Sequence, residues 1–496
     1  MSRTVVISGA GPAGLMLAGE LALAGVPAVV LERRPEPAGV SAGMAVHGRA
    51  LELFKRRGLR DAIRPEDIFP WPRTPFALLW LNMEGARDED YTYAFPQWRT
   101  ERLLEQWVTG LGVDLRRGHE VVDLVQDGEG VTVGVSDRDG GRYEVRGAWL
   151  AACDGADSRV RELAGIGSEQ KGPDYYGVLG DLELTEGSDR QFDAGVHPDG
   201  VFGAIPLSAD TVRLMTLEFD VEAPGPDEPV TAAEVTARIA RITGRAPKLG
   251  KLTWLSRFGG PTRLAERFRD GRVLLVGDAA HTMFISGTHG LNAALHDAAN
   301  LGWKLAAEIN GWASPGLLDS YEQERRAVAD RLCRHACISM AMLHPYERVA
   351  QLRELVERLI GFEQVNSHLL QVTTEARYPL PDDAQARTQV HPLTGTPVPD
   401  ATLNLTDGQS SVAEAMRGGR GLLLDLSEGT AALDEASAWA QRVDLVAAKA
   451  VAELPAAVVL VRPDGQIAYA SASGDDRAGL LSALRTWFGD PAVSMP

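Results

Sequence analysis

Three stretches of this 496-residue chain carry residues whose type and spacing suit a nucleotide ligand. The first is Gly9-x-Gly11-x-x-Gly14, which closes a strand-like run, Thr4 to Ser8, and opens a helical run, Pro12 to Ala24. A second apolar run, Ala28 to Leu31, ends at Glu32 and Arg33. Glycines allow the backbone close to a pyrophosphate, and a helix beginning at Pro12 and Ala13 offers unpaired N–H groups and a positive dipole end. A carboxylate at Glu32 suits ribose hydroxyls. The second stretch, Cys153-Asp154-Gly155-Ala156-Asp157-Ser158-Arg159, follows the strand Trp149 to Ala152; Asp-Gly there is as readily a plain turn as a ligand site. The third runs from Gly271 to His281 and places Asp278 at the end of a buried strand, Val273 to Val276, in reach of an extended ligand's hydroxyls.

In this order and at these separations the three stretches resemble the group A flavoprotein monooxygenases, the family of para-hydroxybenzoate hydroxylase. The likeness covers about Thr4 to Gly361. Ser256-Arg257-Phe258, Leu301-Gly302-Trp303-Lys304-Leu305 and Asp319-Ser320-Tyr321-x-x-Glu324-Arg325 are similar to the branch of aromatic polyketide hydroxylases and rifampicin monooxygenase. The resemblance implies FAD as cofactor and NAD(P)H as a possible reductant. It places Glu32 at the adenosine ribose, Gln97 and Arg102 at the ribityl and phosphate region, and Asp278 at the ribitol. Gly287 to Asn292, including Gly290 and Leu291, would lie along the pyrimidine edge of the flavin. It also implies a C-terminal thioredoxin-like domain without redox cysteines, consistent with a tail that has no cysteine after Cys337. No second Gly-x-Gly-x-x-Gly unit marks a separate nicotinamide domain.

The chain departs from the branch at the reactive face. The flavin loop reads His281-Thr282-Met283-Phe284-Ile285-Ser286-Gly287-Thr288-His289-Gly290-Leu291-Asn292, with Ile285 where a proline is usual and Thr288 and His289 where glycine and glutamine are usual. Proline fixes φ and glycine permits close approach, so both changes redirect the backbone. Val40-Ser41-Ala42-Gly43-Met44 lacks the arginines that the family associates with NADPH and flavin movement. His289 is the candidate acid or base, with an ordinary pKa near 6.5, against the alternative of a loop histidine bonded to backbone or cofactor. His281 reads as a packed histidine. Trp71, Phe76, Trp80 and Met83 read either as pocket lining or as core. Two functions follow: an NAD(P)H-dependent hydroxylase of a bulky polycyclic or polyketide substrate, or a redox-neutral [4+2] cyclase similar to the FAD-dependent dialkyldecalin synthases.

The positioning elements read as α/β: a Rossmann-like FAD-binding domain, a β-sheet substrate domain and the C-terminal domain. The expected divisions are 1–165 and 266–378 for the FAD-binding domain and long helices, 166–265 for the substrate domain, a Pro-rich linker at 379–400, and 401–496. Runs from Val113 to Leu150 read as an antiparallel meander. Helices are expected at about Ala232 to Thr243, in a long region after the strand Val273 to Val276 that runs with breaks to about Gly361, near Leu433 to Val443 and at Arg477 to Phe488. The 68 acidic against 50 basic residues, a net charge of −18, repel nucleic acid and anionic lipid. No apolar run reaches the ~20 residues that span a bilayer. Three cysteines build neither a disulfide framework nor a metal site. A cytoplasmic monomer or homodimer acting on a small, bulky, apolar molecule is the expectation.

Overall fold

The computed structural model describes residues 3–41, 43–71, 73–172, 174–221, 225, 228–285, 288–374, 390–406, 408–427, 429–449 and 451–491. Val5–Ser8 lies inside a six-stranded sheet ordered Arg269–Asp270, Val273–Leu275, Trp149–Ala152, Val5–Ser8, Ala28–Glu32, Asp114–Arg117. All its pairings are parallel except that of the Arg269–Asp270 edge. Parallel strands are covered on both faces, so they read as unbroken apolar runs; Val5, Val6, Ile7, Leu150 and Leu274 are fully buried. The helices Pro12–Leu23 and His289–Ile309 pack together beside this sheet. Because Val5–Ser8, Trp149–Ala152 and Val273–Leu275 run parallel, the three motifs that follow them emerge at one edge, the carboxyl end where open α/β sheets take ligands.

The stretch from Val113 to Leu150 is not one meander. His119–Gln126, Val131–Asp137 and Arg142–Gly147 form a separate antiparallel sheet, while Asp114–Arg117 and Trp149–Ala152 join the parallel one. Trp149–Ala152 is buried throughout, without the alternation of a one-sided strand.

A five-stranded antiparallel sheet is ordered Gly195–His197, Gly200–Pro206, Thr211–Phe219, Tyr175–Glu183, Lys251–Gly259. Its Tyr176, Val178, Leu182, Val212 and Leu214 pack on the helix Ala232–Thr243. By the two-residue period of a strand, Tyr175, Leu217 and Phe219 face the other way, where they pack against Phe284, Ala336 and Met340. This sheet therefore covers Met283 and Phe284, which follow His281. Phe76 and Met83 are core residues of a small apolar cluster, whereas Trp80 is exposed.

The helical run continues beyond Gly361, where it turns into Glu363–Thr374. The C-terminal sheet is ordered Val443–Ala447, Gly421–Asp425, Val458–Val461, Ile467–Ser471. The expected helix to Val443 stops at Ala436, and Val443 instead opens a strand parallel to Gly421–Asp425; sheet pairing overrides local helix propensity. Of the expected linker, 379–389 lies outside the described residues. The remainder is bound chain rather than free linker: Gly395 and Val398 donate N–H bonds to Ile467 and Gly465 at 2.9 Å, and Val398 is buried.

A buried charge cluster joins this C-terminal sheet to the long helices. Glu324 accepts two bonds from Arg462 at 2.6 and 2.9 Å and one from Lys304 at 2.7 Å, and Asn300 donates to Glu324 and to Asp464. Burial alone would raise the Glu324 pKa, but Arg462 and Lys304 bring it down to about 2. A lowered carboxylate pKa stabilises the fold above its unfolded value and loses that contribution as pH falls toward the folded value. Glu324→Gln should therefore cost about 3–5 kcal/mol at neutral pH, and its urea stability should fall less steeply than the parent's between about pH 5 and pH 2. Parallel acid profiles for the two proteins would remove the cluster as a stability element.

Candidate cofactor and active site

A cavity of about 330 Å³ opens where the three strands end. Gly9, Gly11, Pro12, Ala13, Glu32, Arg33, Gln97, Asp154, Asp278 and Leu291 all line it. The glycines do different work. Gly9 has φ +103, and a Cβ there would meet the Cys153 carbonyl at 2.3 Å; a Cβ on Gly14 would meet the Gly9 carbonyl at 2.0 Å. These two hold strand, turn and helix in contact, and Gly14 does not line the cavity. A Cβ on Gly11 would meet nothing within 4 Å, so the space beside it is kept for something other than protein. Gly11 caps Pro12–Leu23 without a side-chain bond, and the first turn carries no acidic residue. The first-turn N–H groups and the positive dipole end are thus left for an anion.

Glu32 is 4% exposed. Its Oε2 accepts from the Ala10 N–H at 2.7 Å, and its Oε1 accepts from the Arg34 N–H at 2.9 Å and Nε at 3.2 Å. Burial acts to raise its pKa, but the hydrogen bonds from Arg34 and Ala10 outweigh it and keep the carboxyl below its usual range. Three of about four lone-pair positions are taken, leaving an acceptor for a hydroxyl. Asp278 is solvent-accessible through the cavity that it lines, yet set deep within the protein; that desolvation raises its pKa, partly countered by His281. Asp154 lines the cavity but spends its carboxylate on Ser158 Oγ at 2.5 Å and the Val160 N–H at 3.1 Å. Its pKa is raised by burial.

This geometry, an anion site and two hydroxyl acceptors along one extended cavity, is a dinucleotide's. Residues 2–336 match the FAD binding domain family and residues 391–491 the aromatic-ring hydroxylase C-terminal domain. The chain belongs to the FAD-dependent aromatic-ring hydroxylase family. It is 39% identical to a dialkyldecalin synthase of Streptomyces rugosporus, over 99% of this chain and 100% of that protein. It is 41% identical to a 12-dehydrotetracycline 5-monooxygenase/anhydrotetracycline 6-monooxygenase of Streptomyces rimosus, with the same coverage. Among solved structures it is similar to the anhydrotetracycline hydroxylase OxyS of Streptomyces rimosus, at TM-score 0.91 and 40% identity, covering 99% of this chain and 100% of that one. It is similar also to the Diels-Alderase PyrE3 of pyrroindomycin biosynthesis, at TM-score 0.86 and 39% identity, again covering 99% and 100%.

Within the flavin site, several sequence candidates stand elsewhere than expected. Arg102 is exposed on the helix Gln97–Gly110 and does not line the cavity; Glu101, one position earlier, does. Glu101 lies one helical turn from Gln97, whose Nε2 donates to it at 2.9 Å. The 3.6-residue period puts positions 97 and 101 on one face and turns 102 away. Asn292 is buried and committed to protein: its Oδ1 accepts from the His47 N–H and its Nδ2 donates to the Thr288 carbonyl, both at 2.8 Å. Gly290 is in the first turn of His289–Ile309, where an added Cβ would come within 3.7 Å of Asp278 Oδ1. Gly287 lies outside the described residues. Arg34 and His119 also line the cavity and were not picked out by motif.

The loop itself is shaped by Thr288, a non-glycine residue at φ 57 that caps His289–Ile309. A left-handed residue with a side chain is strained, and His47 Nε2 bonds Thr288 Oγ1 at 2.9 Å in that position. His289 is 3% exposed, and burial, with His47 and His335 nearby, pushes its pKa well below the usual value. It is a neutral imidazole near pH 7, not a cationic acid. His281 is a packed residue bonded to Asp297 at 2.6 Å.

The two inner glycines separate cofactor binding from folding. Gly11→Val should leave the flavin-free protein melting like its parent but lower FAD affinity by at least about tenfold, whereas Gly14→Val should fail to fold. Flavin content after reconstitution and a melting curve of the apoprotein read both; a fully flavinated Gly11→Val protein would contradict the assignment of the anion site.

Proposed function

We propose that this enzyme binds FAD from Glu32 to Asp278 and tailors a bulky, apolar natural product of polyketide type, working in the cytoplasm as a monomer or homodimer. The observation that carries the reading is the convergence of three strand ends and a bare helix N-terminus on one cavity, next to a loop packed under an apolar sheet face. Neither nucleic acid nor membrane is a partner; the net charge of −18 and the absence of a membrane-length apolar helix among the described residues support this.

Bound FAD supplies hydride acceptance from NAD(P)H and activation of oxygen. The chain's residues orient it. Glu32 takes a ribose hydroxyl, Gln97 faces the ribityl and phosphate region, and Asp278 takes the ribitol. The start of His289–Ile309 offers its positive end to the pyrimidine edge, favouring negative charge there. The sheet face bearing Tyr175, Leu217 and Phe219 keeps water from the loop. In the first reading these groups serve NAD(P)H-dependent hydroxylation; the tetracycline and rifampicin relatives are named as monooxygenases.

A second reading, redox-neutral [4+2] cyclisation with FAD as scaffold, has its own observation. The Val40 to Met44 stretch carries no arginine, and Arg213 of the five-stranded sheet bonds the Ser41 carbonyl at 2.6 Å. Arg213 is itself paired bidentately with Asp181 at 2.7 and 2.9 Å, so its charge is already answered by a carboxylate. A phosphate gains little from such a cation. Holding a polyene in its reactive conformer is an orientation task that needs no hydride, and a dialkyldecalin synthase is among the relatives.

Anaerobic stopped-flow mixing with NADPH, followed at about 450 nm where oxidised flavin absorbs, decides between the readings. Fast bleaching triggered by a polycyclic substrate establishes the hydroxylase. A flavin that stays oxidised, with FAD-dependent and oxygen-independent conversion of a polyene to an isomer of equal mass, establishes the cyclase.

A further inference from the structure

The helix Tyr346–Ile360 is apolar on two faces, and the fold covers only one of them. Val356 and Ile360 belong to the apolar cluster of Leu81, Met83 and Met342. Arg353, buried on the same side, donates to the Ala77 and Met342 carbonyls at 2.8 and 3.1 Å. Leu352, Leu355 and Leu359 lie about a quarter-turn further round, within about 60° of one another, and are 49%, 45% and 39% exposed. Phe362, whose N–H donates to the Leu359 carbonyl at 3.0 Å, extends the stripe by one turn and is 63% exposed. Single exposed leucines need no explanation, but a contiguous stripe of large apolar side chains marks a contact surface. A helix apolar round so wide an arc is ordinarily buried.

The charges beside the stripe indicate what fits it. Arg348, Glu354, Arg358 and Glu363 are exposed, and among the described residues none of them has an ion-pair partner. Place a second copy of the helix antiparallel to the first, with the two-fold axis passing between Leu355 and Val356. Leu352 then stands opposite the partner's Leu359, and Leu355 packs beside the axis against its own counterpart. Glu354 comes within about one residue's rise of the partner's Arg358, on the same flank of the stripe. Arg348, at the end of the stripe, meets the partner's Phe362 and the partner's Glu363, a cation over a ring and beside a carboxylate. The two-fold repeats every contact, so leucines close the centre and opposite charges meet at the rim. A parallel pairing would instead set each charge against its own like. Two positive and two negative groups leave the surface neutral, which suits neither nucleic acid nor anionic lipid.

We infer that the outer face of Tyr346–Ile360 is the contact surface of a symmetric homodimer, in which this helix packs antiparallel on its copy through Leu352, Leu355, Leu359 and Phe362. The inference decides the assembly state that the flavin reading leaves open, and it does not rest on that reading. One helix pair buries less than the ~800 Å² per partner of a standard interface. The dimer is therefore reversible, with a dissociation constant on the order of micromolar.

The test is sedimentation equilibrium of the flavin-loaded full chain, because a reversible dimer has a mass that depends on concentration. The parent should pass from the mass of one chain at about 0.1 µM toward that of two at about 100 µM. Leu355→Glu and Leu359→Glu, at exposed positions, should melt like the parent and raise the dissociation constant at least about a hundredfold, as a carboxylate buried on each side of the axis does. Arg358→Glu should weaken the dimer about tenfold by setting like charges opposite each other, and Glu354→Arg added to it should restore the dimer. If the leucine substitutions lower the melting temperature, the charge reversal and its rescue carry the comparison. A parent that keeps the mass of one chain throughout would overturn the inference, as would a dimer that all three single substitutions leave intact. Flavin content is read on the same samples. A flavin-free parent that still dimerises counts against the FAD reading alone, and a flavinated parent that stays a monomer counts against this inference alone.

Discussion

The buried carboxylate of Asp297 is the fixed point on which the cofactor site depends. It has no solvent exposure. Its Oδ2 accepts from His281 Nε2 at 2.6 Å and from the Gly277 N–H at 3.2 Å, and its Oδ1 accepts from Arg325 Nε at 2.6 Å. Burial opposes a charge there, yet Arg325 and His281 bring the pKa down to about 2. One ionised group thereby ties the turn bearing Asp278 to the helix His289–Ile309 and to the helix Asp319–Ala341. Taking away one partner would strand a charge in the interior, which costs more than the pair contributes.

The same two helices carry the second buried cluster. Asp297, Asn300 and Lys304 follow one another at three and four residues, on one helix face, and Glu324 adjoins Arg325 on the other helix. Arg462 and Asp464 of the C-terminal sheet enter this cluster, and Arg57, paired with Glu20 at 2.7 and 2.8 Å, reaches the Pro463 and Met416 carbonyls. The cysteine-free C-terminal sheet is thus joined through continuous charge contacts to the helix His289–Ile309.

Relatives of similar identity are named for oxidation and for cyclisation. The anion-accepting end of the cavity is made of backbone N–H groups, a helix dipole and open space beside Gly11, none of which depends on the side chains of the loop after His281. The chain beside the cavity is held by a few side chains: Thr288 at positive φ is bonded to His47, and Arg213 bonds the Ser41 carbonyl.

Sequence by itself determined the cofactor site wherever a single local constraint admits few residue types. Gly9 and Gly14 leave no room for a Cβ, Pro12 opens a helix, Glu32 ends a strand, and unbroken apolar runs make covered parallel strands. These are short-range demands of backbone geometry, and they were readable without a partner in view. The tertiary structure decided whatever depended on distant chain: that Glu101 rather than Arg102 faces the cavity, that Asn292 serves His47 and Thr288, and that Trp149–Ala152 leaves its meander for the parallel sheet. It also assembled His47, His289 and His335 from a strand end, a helix start and a second helix. No spacing rule connects such positions, because what brings them together is the burial of apolar faces and the pairing of buried charges between elements hundreds of residues apart.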